Sequence, residues 1–96
     1  MSKRADLKQR YRAASLHVQN LDKEKNGIDI TPYRWKLYGY HKQTMEGDCT
    51  HSCPQGEGVL KNKFNAWVAN KGMSKDDAMS QFIQLVEKFD PKFASR

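Results

Sequence analysis

The chain has 96 residues, enough for one small domain with a modest core. Charged residues make up 29% and hydrophobic residues 38%, the formal net charge is +6 and the sequence pI is about 9.4. This excludes an oily membrane protein and points to an anionic partner: nucleic acid, membrane phosphate or a phosphorylated small molecule. No run of about 18 apolar residues is present, so neither a membrane span nor stable membrane insertion is expected. The N-terminus, Met1-Ser2-Lys3-Arg4-Ala5-Asp6, lacks an apolar signal core. A cytoplasmic location is expected, with a weak organelle-targeting reading left open by its basic character.

The first predicted helix runs from about Ala5 to Leu21. Leu7, Tyr11, Ala14, Val18 and Leu21 fall at alternating spacings of four and three, which is one helical face. Lys3, Arg4, Lys8, Arg10 and Arg12 fall mostly elsewhere on it, as a solvated face. Asp22 to Ile30 reads as a loop, because Asn26-Gly27 marks a turn.

Thr31-Pro32 signals the second helix. Threonine is a good N-cap and proline suits the first helical position. The helix continues through Trp35 to Gly47, a natural C′ glycine. On it Tyr38, His41, Lys42 and Met45 share one stripe. A core rejects an unpaired ammonium. An aromatic and apolar stripe carrying a cation suits a ligand that is greasy at one end and anionic at the other. Lys42 has no obvious acidic partner on its own helix face in this reading, so its role is directed toward the ligand.

Asp48 to Gly58 is a second loop, with Cys49 and Cys53 flanking His51. A zinc site needs three or four ligands, usually from two separated pairs, and here there is one pair with one histidine. The expected state is a reduced surface loop without a metal. Helix three runs from about Val59 to Asn70, with Leu60, Phe64, Trp67 and Val68 as its apolar stripe, and Gly72 ends it. Ser74-Lys75-Asp76-Asp77 opens helix four with the spacing of a capping box. Ala78, Met79, Phe82, Ile83, Val86 and Phe89 form its buried face, and Asp90-Pro91 stops it. No strand pattern competes, so the fold class is all-α, a four-helix bundle in a single domain spanning 1–96.

The run Tyr38-Gly39-Tyr40-His41-Lys42-Gln43-Thr44-Met45-Glu46-Gly47-Asp48 resembles the helix-two signature of the acyl-CoA-binding protein family, Tyr-Gly/Ser-X-Tyr-Lys-Gln-Ala-Thr-X-Gly-Asp. Lys63-Phe64-Asn65-Ala66-Trp67 resembles its Lys-Trp-Asp-Ala-Trp. Lys71-Gly72-Met73-Ser74-Lys75-Asp76-Asp77-Ala78-Met79 resembles its Lys-Gly-X-Ser-Lys-Glu-Asp-Ala-Met. Together the three motifs tie the resemblance to about residues 7–90.

The resemblance implies up–down–down–up topology and one long-chain fatty acyl-CoA bound per monomeric chain. No reaction, cofactor or catalytic residue is implied. Carried over by position, Tyr38 and Lys42 hold the nucleotide end, Lys63 approaches the ribose 3′-phosphate, and Phe82 falls where the family has a ligand-contacting tyrosine. Gly39, Tyr40 and His41 belong to the same motif, and Gln19 falls where many members carry a lysine. His41 replaces a tyrosine, keeping a stacking face but titrating near neutral pH. Phe82 lacks the family hydroxyl, and Phe64 replaces a tryptophan that is more core than contact, as Trp67 also is.

Residue chemistry supports this reading independently. Coenzyme A carries a 3′-phosphate and a diphosphate, which two lysines on separate helices can meet. Tyr38, Tyr40 and His41 offer stacking faces for adenine. Trp35, Met45 and Phe82 are candidates for an acyl groove. At about 0.8 kcal/mol per CH₂, some fifteen methylenes supply on the order of 12 kcal/mol before binding costs.

Two rival classes compete with this reading. A small, basic, helical nucleic-acid-binding module is the first, but no recognisable DNA-binding motif appears and the basic residues are spread over every helix. An enzyme using the Cys/His loop is the second, but nothing local supplies nucleophile, base and orienting group together.

Overall fold

The computed structural model describes residues 3–21, 27–50, 52–53, 55–56 and 58–94. These form α1 (Lys3–Gln19), a 3-10 turn (Thr31–Tyr33) running into α2 (Arg34–Glu46), α3 (Val59–Val68), α4 (Lys75–Phe89) and a short α5 (Pro91–Ala94). Of the expected loop at 22–30, residues 27–30 carry no helix and residues 22–26 lie outside the described ones.

The helix signals held with two corrections. Ser74 caps α4 as expected, its Oγ accepting the Asp77 N–H at 3.0 Å. Gly47 closes α2 at φ 78°, a conformation that only glycine adopts without strain. Thr31, however, is not the N-cap of α2. It lies inside the 3-10 turn, and its N–H is taken by the Asp29 carboxylate at 3.0 Å. A capping hydroxyl accepts a backbone N–H of the first turn, but the helix starts later, with Tyr33 at its N-cap position and no side-chain cap, and the Tyr33 N–H goes to the Ile30 carbonyl. Pro91 does stop α4, yet it also starts α5, since its fixed φ and missing N–H suit a first helical position.

The core is built from Tyr11 and Ala14 of α1, Leu37 of α2, and Met79, Phe82, Ile83 and Val86 of α4. Leu7 and Val18 pack against it, so the sequence-read face of α1 is the buried one. On α3 the expected stripe is only partly inward. Trp67 is buried, but Leu60 is 71% exposed and Val68 37%.

Cross-helix contacts give the topology. His17 pairs with Asp90 and Tyr11 meets Phe82, so α1 and α4 run parallel. Tyr38 meets Lys63 and Lys42 meets Trp67, so α2 and α3 run parallel. Tyr33 stacks on Phe89 while Gln43 reaches Met73, so α2 and α4 run antiparallel. This is an up–down–down–up bundle. Among the described residues no helix is long and apolar enough to cross a membrane.

Candidate functional site

The α2–α3 pair is held at unusually close range. A Cβ on Gly39 would sit 2.3 Å from the carbonyl oxygen of Ala66, so only glycine lets the two backbones meet here. Gly39 is buried, and its place in the motif is explained by this crossing. Beside the crossing, four side chains form a square. Lys42 Nζ lies 4.7 Å from the ring centre of Trp67, and Lys63 Nζ lies 5.4 Å from that of Tyr38. Each cation rests on an aromatic face from the other helix, an arrangement favoured by the ring quadrupole. Tyr38 and Lys42 are one turn apart on α2, and Lys63 and Trp67 one turn apart on α3, so both ammonium groups are delivered to one patch.

Beneath the patch lies a polar joint. Trp67 Nε1–H donates to the Gly47 carbonyl at 2.8 Å. Gln43 Nε2 donates to the Asp48 carboxylate and to the Met73 carbonyl, both at 2.8 Å, and Asp48 also accepts the Gly72 N–H at 2.8 Å. The Gly72 N–H, then the Gln43 amide, hold the Asp48 carboxyl below its ordinary value. These bonds fix the α2 terminus against the α3–α4 turn and so hold Lys42 over Trp67.

Lys42 is not without an acidic partner. It is ion-paired with Glu46 one turn on, and this bond raises its pKa. The i,i+4 spacing announced the pair and corrects the sequence reading. Ligand phosphate therefore competes with Glu46 for this cation.

The remaining residues are placed differently. His41 turns toward α1, where its Nδ1 lies 2.6 Å from the Tyr11 hydroxyl. Burial, then the neighbouring Lys42, hold its pKa below 6.5, with Glu46 opposing. Near-neutral titration is thus disfavoured in the free protein. Tyr40 packs against the core and, with Trp35, Lys36, Ala66, Ala69 and Asn70, lines a groove of about 400 Å³ between α2 and α3. Phe82 lies in the core at 4% exposure, edge-on to Tyr11, and so is not brought to the patch. Gln19 is exposed at the end of α1, with its amide on Ser15. Met45 is 58% exposed. Cys49 is half-buried and Cys53 exposed, and neither is in a disulfide. Among the described residues no three His, Cys, Asp or Glu side chains group for a metal. His51 lies outside them.

The sequence reading missed Tyr11 and the aromatic support from Trp67. Both sit on apolar helical stripes, where spacing alone reads as core.

A family model described as Acyl CoA binding protein matches residues 8–86. An acyl-CoA-binding protein of Dictyostelium discoideum is 46% identical over 85 residues, covering 88% of this chain and 96% of that protein. The crystal structure of Oryza sativa acyl-CoA-binding protein 2 superposes with a TM-score of 0.73 at 26% identity, covering 96% of both chains. That of an acyl-CoA-binding protein from Moniliophthora perniciosa, 24% identical, shares the fold with a TM-score of 0.70 over all of this chain and 98% of its own. With this profile match, this identity and the parallel α2–α3 pair, the chain belongs to the acyl-CoA-binding protein family.

Proposed function

We propose that this chain binds one long-chain fatty acyl-CoA ester per molecule, without reacting with it, and carries it between membranes and enzymes as a cytoplasmic monomer. The observation that carries the reading is the pair of lysines, Lys42 and Lys63, delivered from two helices onto one aromatic-floored patch. Two ammonium groups at one patch suit the phosphates of coenzyme A. Tyr38, half-buried between them, offers a face for the adenine.

Trp35 stands one turn before Tyr38 and lines the α2–α3 groove, which offers the acyl chain an apolar wall. Met45 and Phe82 are not assigned to that wall, one being exposed and the other core. The nucleic-acid alternative has no observation in its favour.

Calorimetric titration tests the reading, using acyl-CoA esters of increasing length beside free CoA and free fatty acid. The expected result is one site per chain, affinity that rises with acyl length, and far weaker binding of the fatty acid. Equal affinity for fatty acid and ester removes the head-group site.

A further inference from the structure

Tyr11 belongs to the core by its ring and to the candidate site by its hydroxyl. The residue is 6% exposed and its ring meets Phe82 edge-on at 5.1 Å. Its oxygen, 2.6 Å from His41 Nδ1, crosses from α1 to the stripe of α2 that carries Tyr38 and Lys42, and the two rings lie within 18° of parallel.

A buried hydroxyl must place its proton on an acceptor. Thr44 Oγ1, buried on the same helix as His41, lies beside the phenol and opposes the rise in its pKa, but no contact at that oxygen has the geometry of a formed hydrogen bond. The formed contact is with Nδ1 of His41 at 2.6 Å, and the phenol proton is assigned to it. A neutral imidazole that accepts at Nδ1 carries its own proton on Nε2. Both groups are held in the required states. Burial lifts the Tyr11 phenol to about 12, and burial with Lys42 lowers His41. Among the described residues Nε2 has no partner of its own.

We propose that Tyr11 is a positioning residue for ligand binding: its hydroxyl fixes His41 as the Nε2–H tautomer, and Nε2–H donates to a phosphate oxygen of the ligand beside Lys42. The inference rests on the head-group reading above. A histidine has two ring nitrogens, and a second residue must decide which one donates. Tyr11 makes that decision before the ligand arrives, so no proton has to move on binding.

Two measurements test it. Long-range proton–nitrogen NMR of the ligand-free protein at neutral pH reads the tautomer of His41. The parent is expected to show Nδ1 bare and Nε2 protonated, and Tyr11→Phe to show a mixture. Calorimetric titration with palmitoyl-CoA reads the consequence. Tyr11→Phe is expected to weaken binding about tenfold, with no such loss when it is made in the His41→Tyr background.

A proton on Nδ1 in the parent overturns the proposal. So does an equal loss from Tyr11→Phe in both backgrounds, because that marks simple packing. Lys42→Ala separates the two readings. Unchanged affinity there removes the head-group site itself. Weakened Lys42→Ala with parent-like Tyr11→Phe removes only the role of Tyr11.

Discussion

The bundle joins two parallel helix pairs that are held together by different means. Between α1 and α4 the contacts are largely apolar and closed: Tyr11, Ala14, Phe82, Ile83 and Val86 bury one another, and a polar contact there, the hydrogen bond of His17 with Asp90 at 2.5 Å, is itself largely enclosed. Between α2 and α3 the backbones touch at Gly39, and the side chains beside that contact are lysines lying on aromatic rings. The first pair uses its side chains for cohesion. The second obtains cohesion from a glycine and leaves its cations at a half-buried surface. Burial favours stability, whereas an ammonium on a ring face at the surface still has capacity for an anion. The binding patch is therefore expected on the α2–α3 side, with α1 and α4 as its support.

Perturbing each pair should separate stability from binding. The largest effect is expected from Phe82→Ala, which empties the α1–α4 core and should cost about 4 kcal/mol of stability. Denaturant unfolding measures this. A variant of parental stability that had lost only ligand would move Phe82 from the core to the site. Gly39→Ala comes next. Its Cβ meets backbone rather than a movable side chain, so α2 and α3 must part, at a cost of about 3 kcal/mol. Parental unfolding midpoints for this variant would mean that the helices do not cross at this range.

Lys42→Ala addresses binding. A charge-assisted contact is worth about 2 kcal/mol, while the partly exposed pair with Glu46 contributes under about 1 kcal/mol to folding. Calorimetry should show the first loss, and thermal melting should barely move. Unfolding of this variant would place Lys42 in the structural half of the comparison. Glu46→Gln should do the reverse on a smaller scale, tightening acyl-CoA binding by about threefold by freeing Lys42. Weaker binding would give Glu46 a direct role toward the ligand.

The smallest expected effect is in pH dependence. Burial, then Lys42, depress the His41 pKa below 6.5 in the folded chain, so the unfolded chain takes up that proton first. The stability from this group is present above about pH 6.5 and is lost as pH falls through the folded-state value. Asp48, held below 3.8, adds loss only in stronger acid. His41→Tyr should flatten the stability profile in the mildly acidic range alone. Identical profiles for parent and variant would exclude His41 as the titrating group.

Much of this was legible in the chain itself. Apolar spacing predicted α1, α4 and their buried faces, because a helix must turn one stripe inward whatever it packs against. Ser74, Gly47 and Pro32 marked their turns because caps depend on local backbone chemistry. Lys42 stood out as a cation on an aromatic stripe, although its pairing with Glu46 went unread. The Thr31 cap failed for a local reason as well: the chain enters α2 through a 3-10 turn in which the Tyr33 N–H goes to the Ile30 carbonyl.

Only the tertiary structure decided which side chains meet across helices. Leu60 and Phe82 look alike as apolar positions on a helical face, yet one is 71% exposed and the other 4%. Lys63 on Tyr38, Lys42 on Trp67 and Tyr11 on His41 join residues at least 25 positions apart, read directly from their numbers. Sequence periodicity says which face of a helix is apolar. It carries no information on which neighbour that face meets or at what height, and the height at which α1 crosses α2 is what brings a core tyrosine's hydroxyl to a site histidine.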